Sequence, residues 1–111
     1  MAYDDVLADR IREALEPRAE LSERKMFGGI GFMIDGNMAI GVIGDEMIVR
    51  LSPEEAETAL AEDGVREFDF TGRPMKGWIF VAPEAMDDAE DFAEWVDAGA
   101  DYAASLPAKD G

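Results

Sequence analysis

Apolar residues at the start of the chain recur at helical spacing. Val6, Leu7, Ile11, Ala14 and Leu15 share one face, Asp4 and Asp5 sit where the helix dipole favours anions, and Pro17 follows the last turn. This predicts a first helix. From Met26 the pattern changes to extended apolar runs: Met26 to Ile34, Met38 to Ile43 and Met47 to Leu51, separated by Asp35-Gly36 and Gly44-Asp45. Asp-Gly suits a type I′ hairpin and Gly-Asp a type II′ one, so a three-stranded antiparallel meander is expected. Gly28, Gly29 and Gly31 weaken its first strand and mark a bulge or a close backbone approach. Gly-Gly-Ile-Gly lacks the Lys-Ser/Thr and the strand-to-helix setting of a phosphate loop.

Ser52-Pro53-Glu54-Glu55 reads as a helix start: Ser52 as N-cap, Pro53 at the first helical position and Glu55 completing a capping box. This second helix is expected to run to about Glu62 and to close at Asp63-Gly64. Val65 to Phe70 and Gly77 to Val81 read as two more strands. Asp87-Asp88 prepares a third helix, in which Phe92, Trp95, Val96, Gly99, Tyr102, Ala103 and Leu106 trace one apolar stripe and the acidic residues lie largely off it. The expected fold is α+β, one domain over residues 3–106 in the order α-β(3)-α-β(2)-α, with helices against an antiparallel sheet and a loose tail over 107–111.

Composition narrows the chemistry. A chain of 111 residues with 48% hydrophobic content and ten aromatics can build its own core. Cysteine and histidine are both absent, which excludes disulfides, thiolate catalysis, Cys-ligated metals and any Ser-His-Asp or Cys-His mechanism within the chain. No calcium-loop pattern appears, and no cofactor or metal site is expected. The start of the chain lacks a signal-peptide pattern and no stretch approaches a membrane span, so a soluble cytoplasmic protein with no membrane partner is expected.

The net charge of −16 is uneven: residues 1–23 carry −4, residues 24–81 carry −4 and residues 82–111 carry −8. The middle holds most cations: Arg24, Lys25, Arg50, Arg66, Arg73 and Lys76. A nucleic acid approaching the molecule meets net repulsion, so direct nucleic-acid binding is not expected. Three lysines against 26 acids also fit adaptation to high salt, where screening offsets self-repulsion.

Against that acidity, Asp69-Phe70-Thr71-Gly72-Arg73-Pro74-Met75-Lys76-Gly77-Trp78 stands out as a loop framed by glycine and proline that carries two cations. This loop, with Lys25-Met26-Phe27-Gly28-Gly29 and Phe32-Met33-Ile34-Asp35-Gly36-Asn37-Met38, resembles the N-terminal domain of the TfoX/Sxy family, bacterial regulators of natural competence. The likeness covers roughly residues 3–106. The resemblance implies a secretion-chaperone-like α-β(3)-α-β(2)-α fold. It also implies a link to regulators that act beside a cyclic-AMP-dependent protein and carry a second, C-terminal domain, for which this chain is expected to be too short. It supplies no catalytic residue set.

The leading functional expectation is a non-enzymatic protein-interaction module, in which Arg73, Lys76 and Lys25 meet an acidic group on a protein partner and Phe27, Met75 and Trp78 supply apolar contact. The competing reading puts Phe27 and Trp78 in the core, where strand aromatics commonly lie. A second class is a small-ligand binder or an enzyme using carboxylates, with Asp69–Lys76 or Glu46–Arg50 as its acid and base pairs. A third is a chaperone-like dimer built on an exposed edge or helix face. Monomer and homodimer both remain open.

Overall fold

A computed structural model describes residues 3–18, 21–26, 28–69, 72 and 75–107, apart from the side chain of Met26. The predicted residues 27, 70, 71, 73, 74 and the tail 108–111 lie outside this set. Three helices and six strands follow one another as α1 (Asp5–Leu15), β1 (Leu21–Met26), β2 (Gly29–Ile34), β3 (Asn37–Ile43), β4 (Glu46–Arg50), α2 (Pro53–Ala59), β5 (Val65–Glu67), β6 (Trp78–Val81), a 3₁₀ turn (Pro83–Ala85) and α3 (Ala89–Ser105). All strand pairs are antiparallel, in the order β1-β2-β3-β4-β6-β5.

The α+β class and the order helix, strands, helix, strands, helix are those expected, but four strands rather than three precede α2. The added strand is β1. Its sequence, Leu-Ser-Glu-Arg-Lys-Met, has no apolar alternation, because it lies at the sheet edge with Ser22 to Lys25 exposed. Gly28, at φ +76°, turns the chain between Met26 and Gly29, which are paired residues of β1 and β2. The long extended run expected from Met26 to Ile34 is thus broken at this hairpin. Gly29 fits there for a further reason: a Cβ would lie 2.0 Å from the Val42 carbonyl oxygen. The β2–β3 register shifts between Phe32 and Met33, just beyond the glycines Gly28, Gly29 and Gly31 at which the sequence predicts a bulge or close approach.

The turns follow their sequences. Asp35 and Gly36 have φ +52° and +80°, as a type I′ hairpin requires, and Gly44 has φ +60°. Asp4 caps α1 by accepting from the Val6 N–H at 2.9 Å, and Asp88 caps α3 by accepting from Glu90 at 2.7 Å. Ser52 caps α2 in modified form. Its hydroxyl accepts from the Glu55 N–H at 3.2 Å and donates to the Glu55 carboxylate at 3.0 Å, so Glu55 meets the cap's side chain instead of its backbone. α2 ends at Ala59, before the expected Glu62, and tight i→i+3 bonds from Ala61 and Glu62 carry the chain towards Gly64 at φ +84°.

Period-two alternation divides the sheet's side chains between two clusters. Ile30, Phe32, Ile40, Val42, Met47, Val49, Ile79 and Val81 lie on the face covered by the three helices, β6 meeting α2. Met33, Met38, Ile48, Phe68 and Phe80 form a second cluster on the other face, with Ile43 and Trp78 packed against it. α3 lies close on β3 because position 99 is glycine: a Cβ there would come within 2.5 Å of Ile40 Cδ1 and 2.7 Å of the Ala39 oxygen. Of the expected α3 stripe, Phe92, Val96, Gly99 and Ala103 are buried, while Trp95, Tyr102 and Leu106 are half-buried. Beyond α3, the Pro107 carbonyl accepts from Asn37 Nδ2 at 2.9 Å. Among the described residues no helix is long and apolar enough to cross a membrane.

Candidate functional site

β4 hydrogen-bonds β6 rather than β5, the next strand in sequence, which carries the connection between β5 and β6 to the start of α2. The connection is closed on itself. Met75 N–H donates to the Phe68 carbonyl at 3.1 Å, Trp78 N–H to Met75 at 3.1 Å, Phe68 N–H to Trp78 at 3.3 Å, and Gly72 N–H to Asp69 at 2.8 Å. It is also tied to β4, since Leu51 N–H donates to the Gly77 carbonyl at 2.6 Å. Gly77 makes this approach possible: its φ is +88°, and a Cβ would sit 2.7 Å from the Leu51 oxygen.

Against this segment stands one face of α2. Pro53, Ala56, Glu57 and Leu60 fall at i, i+3, i+4 and i+7, and with Glu54, Glu67, Met75, Lys76, Gly77 and Trp78 they line a groove of about 410 Å³. Three of the expected site residues therefore converge. Met75 is 38% exposed, one of two large exposed hydrophobics among the described residues. Lys76 is exposed and forms no ion pair among them. Trp78 is half-buried, between the core expectation and the contact expectation: its ring centroid lies 6.1 Å from that of Phe68, and the Arg50 guanidinium lies 5.1 Å from its ring.

The other expected residues fall differently. Lys25 is exposed on β1, the far edge of the sheet, four strand spacings from β6 and so roughly 19 Å away. It does not join the groove. Arg73 and Phe27 lie outside the described residues. The acid and base pairs considered above are replaced by others. Glu46 accepts from Arg66 at 2.6 Å rather than from Arg50, and Asp69 lies 3.5 Å from Arg66 rather than on Lys76. Strand register explains the change: Arg66 is opposite Phe80, with its guanidinium 4.2 Å from that ring, while Arg50 is opposite Trp78 and lies between Trp78 and Tyr102. These are exposed contacts of the kind worth under about 1 kcal/mol each.

The α2 contribution was not among the expected site residues, although the i, i+3, i+4, i+7 spacing of Pro53, Ala56, Glu57 and Leu60 carried the signal. The clearest electrostatic perturbation is remote from the groove. Arg12 of α1 donates to both Glu23 carboxylate oxygens of β1, at 2.6 and 2.8 Å, and these bonds hold the Glu23 carboxyl below its ordinary range and push the Arg12 guanidinium up. That pair joins helix to edge strand. Among the described residues no group of three or more Asp or Glu side chains is placed to hold a metal ion.

The family model of the TfoX N-terminal domain matches residues 13–103, which span the sheet, α2, the β5–β6 connection and most of α3. No curated protein and no solved structure matches the chain.

Proposed function

The chain belongs to the TfoX N-terminal domain family, and from that premise we propose that it is a non-enzymatic docking domain of regulatory type, which seats a protein partner in the groove between α2 and residues 75–78. The observation that carries this reading is the convergence of exposed Met75, half-buried Trp78 and exposed Lys76, which has no ion pair among the described residues, on one groove of about 410 Å³ walled by α2. Met and Trp provide adaptable and rigid apolar contact respectively, and Lys76, the one cation beside Glu54, Glu57 and Glu67 in the described lining, is the point at which a carboxylate of the occupant is held. The partner segment is therefore one with an apolar anchor beside an acidic residue. Arg73 adds a second cation to the same connection on sequence grounds.

Affinity capture from a lysate of the source cell at its native salt tests the reading, with wild type, Met75→Ala/Lys76→Ala and the remote Val6→Glu compared side by side. A protein retained by wild type and Val6→Glu and lost by the double variant is the expected result. Equal retention by all three, with circular dichroism showing each folded, would refute the assignment.

A further inference from the structure

The other side of α2 forms a second groove, more acidic than the first and without its lysine among the described lining residues. Glu55, Thr58, Ala59 and Glu62 repeat the i, i+3, i+4, i+7 spacing on the helix and the turn that follows it, and Asp91, Glu94, Trp95 and Ala98 do the same on α3. With Leu51, Glu54, Asp63, Glu84 and Ala85 they enclose about 790 Å³. Each helical face spans eight residues, about 10 Å of trough for seven steps of about 1.5 Å, or roughly two turns of an incoming helix. The floor is apolar: Leu51 and Ala59 are buried, and Ala85, Trp95 and Ala98 are half-buried. Trp95 has its N–H committed to the Ala85 carbonyl at 3.2 Å, so the rest of its surface offers carbon alone. The rim carries seven carboxylates (Glu54, Glu55, Glu62, Asp63, Glu84, Asp91 and Glu94), and among the described residues no Lys or Arg lines the groove.

Ion pairs neutralise part of this protein's acidity, but not at this groove among the described residues. Elsewhere, Asp9 and Glu23 are paired by Arg12, Asp97 and Asp101 by Arg18, and Glu46 and Asp69 by Arg66. None of the seven rim carboxylates takes part in an ion pair among the described residues. We infer that this groove is a docking site for a cationic amphipathic helix of a partner protein, its small apolar face on Trp95, Ala59 and Ala98 and its Lys or Arg side chains along the rim. An apolar floor between two like-charged walls is complementary to such a helix, with the floor fixing its position and the rim its sign. This site lies on the other side of α2 from the groove holding Lys76, with Glu54 in the lining of both.

The test uses a fluorescently labelled 14-residue amphipathic peptide of Leu, Ala and Lys, titrated with the full chain and followed by anisotropy at 0.15 M salt. Saturable one-to-one binding is expected. Glu62→Gln/Asp91→Asn/Glu94→Gln should weaken it at least tenfold, and Glu13→Gln/Glu16→Gln/Asp45→Asn, which removes the same charge from exposed positions away from the groove, less than twofold. Ala98→Arg, which places a cation on the floor, should abolish binding while circular dichroism stays unchanged. Equal weakening by the two triple variants would reduce the effect to net charge and overturn the proposal. So would equal affinity for a peptide with the same lysines but Gly and Ser in place of Leu and Ala. Displacement by spermine at equal concentration would overturn it too, assigning the groove to a small polycation.

Discussion

Gly77 and Gly72 offer a matched pair for measuring how the β5–β6 connection is held. Both have nearly the same backbone, φ +88° and +89°, so replacement by alanine imposes a similar left-handed penalty of about 1–2 kcal/mol at either position. They differ in what a Cβ meets. At Gly72 nothing among the described residues lies within 4 Å, whereas at Gly77 the Leu51 carbonyl oxygen is 2.7 Å away, and the Gly77 carbonyl accepts the 2.6 Å bond from Leu51 N–H. A backbone oxygen cannot rotate aside as a side chain can. Relieving the overlap costs about 1–3 kcal/mol by the scale of overpacked interiors, and loosening the hydrogen bond about 0.5–1.5 kcal/mol more, with partial overlap between the two. Gly77→Ala is therefore expected to destabilise by about 2–5 kcal/mol, and Gly72→Ala by about 1–2 kcal/mol. Urea unfolding followed by tryptophan fluorescence resolves the difference, since about 2 kcal/mol moves the midpoint by roughly 1 M at a slope of about 2 kcal/mol/M. Partner capture through Met75 and Lys76 should fall with Gly77→Ala, measured well below its unfolding midpoint, and persist with Gly72→Ala. Equal losses of stability in the two variants would show that the contact with Leu51 contributes nothing.

Two further outcomes follow from charge. Glu23 has its carboxyl lowered by hydrogen bonds from Arg12, so the stabilisation is fully present above the unfolded carboxylate value near 4.3 and disappears as pH falls through the lower folded value. Both side chains are partly exposed, 41% for Arg12 and 33% for Glu23, so Glu23→Gln should lose under about 1 kcal/mol at pH 7. That gap should close on acidification in paired urea titrations, and a gap that widened at low pH would contradict the assignment. Melting temperature should rise between 0.1 and 1 M KCl, where the screening length falls from about 10 Å to about 3 Å. The rise should be smaller for Glu62→Gln/Asp91→Asn/Glu94→Gln, and identical salt responses would show that repulsion across that groove is negligible.

Local chemistry made much of this fold legible. Asp35-Gly36, Ser52-Pro53 and Asp88 state their turns and caps in the sequence because each is fixed by bonds within a few residues. β1 was hidden because an edge strand needs neither alternation nor apolar residues, and Ser22 to Lys25 provide neither. The candidate site was half legible. Met75, Lys76 and Trp78 are visible as a cationic, apolar connection, but their neighbours in α2 depend on β6 pairing with β4, a contact between distant parts of the chain that no local pattern encodes. The ion pairs were assigned to the wrong partners for the same reason: Arg66 reaches Glu46 only across strands β4, β6 and β5.

α2 is a partition wall one helix thick, and Glu54 stands in the lining of both grooves it separates. A cationic occupant on one side neutralises a carboxylate that the occupant on the other side also senses. Seating an acidic segment beside Lys76 becomes easier once that repulsion is quenched, and thermodynamic linkage requires the reverse effect to be equal in size. Two ligands of opposite sign would then recruit each other across a single turn of helix without any change of shape.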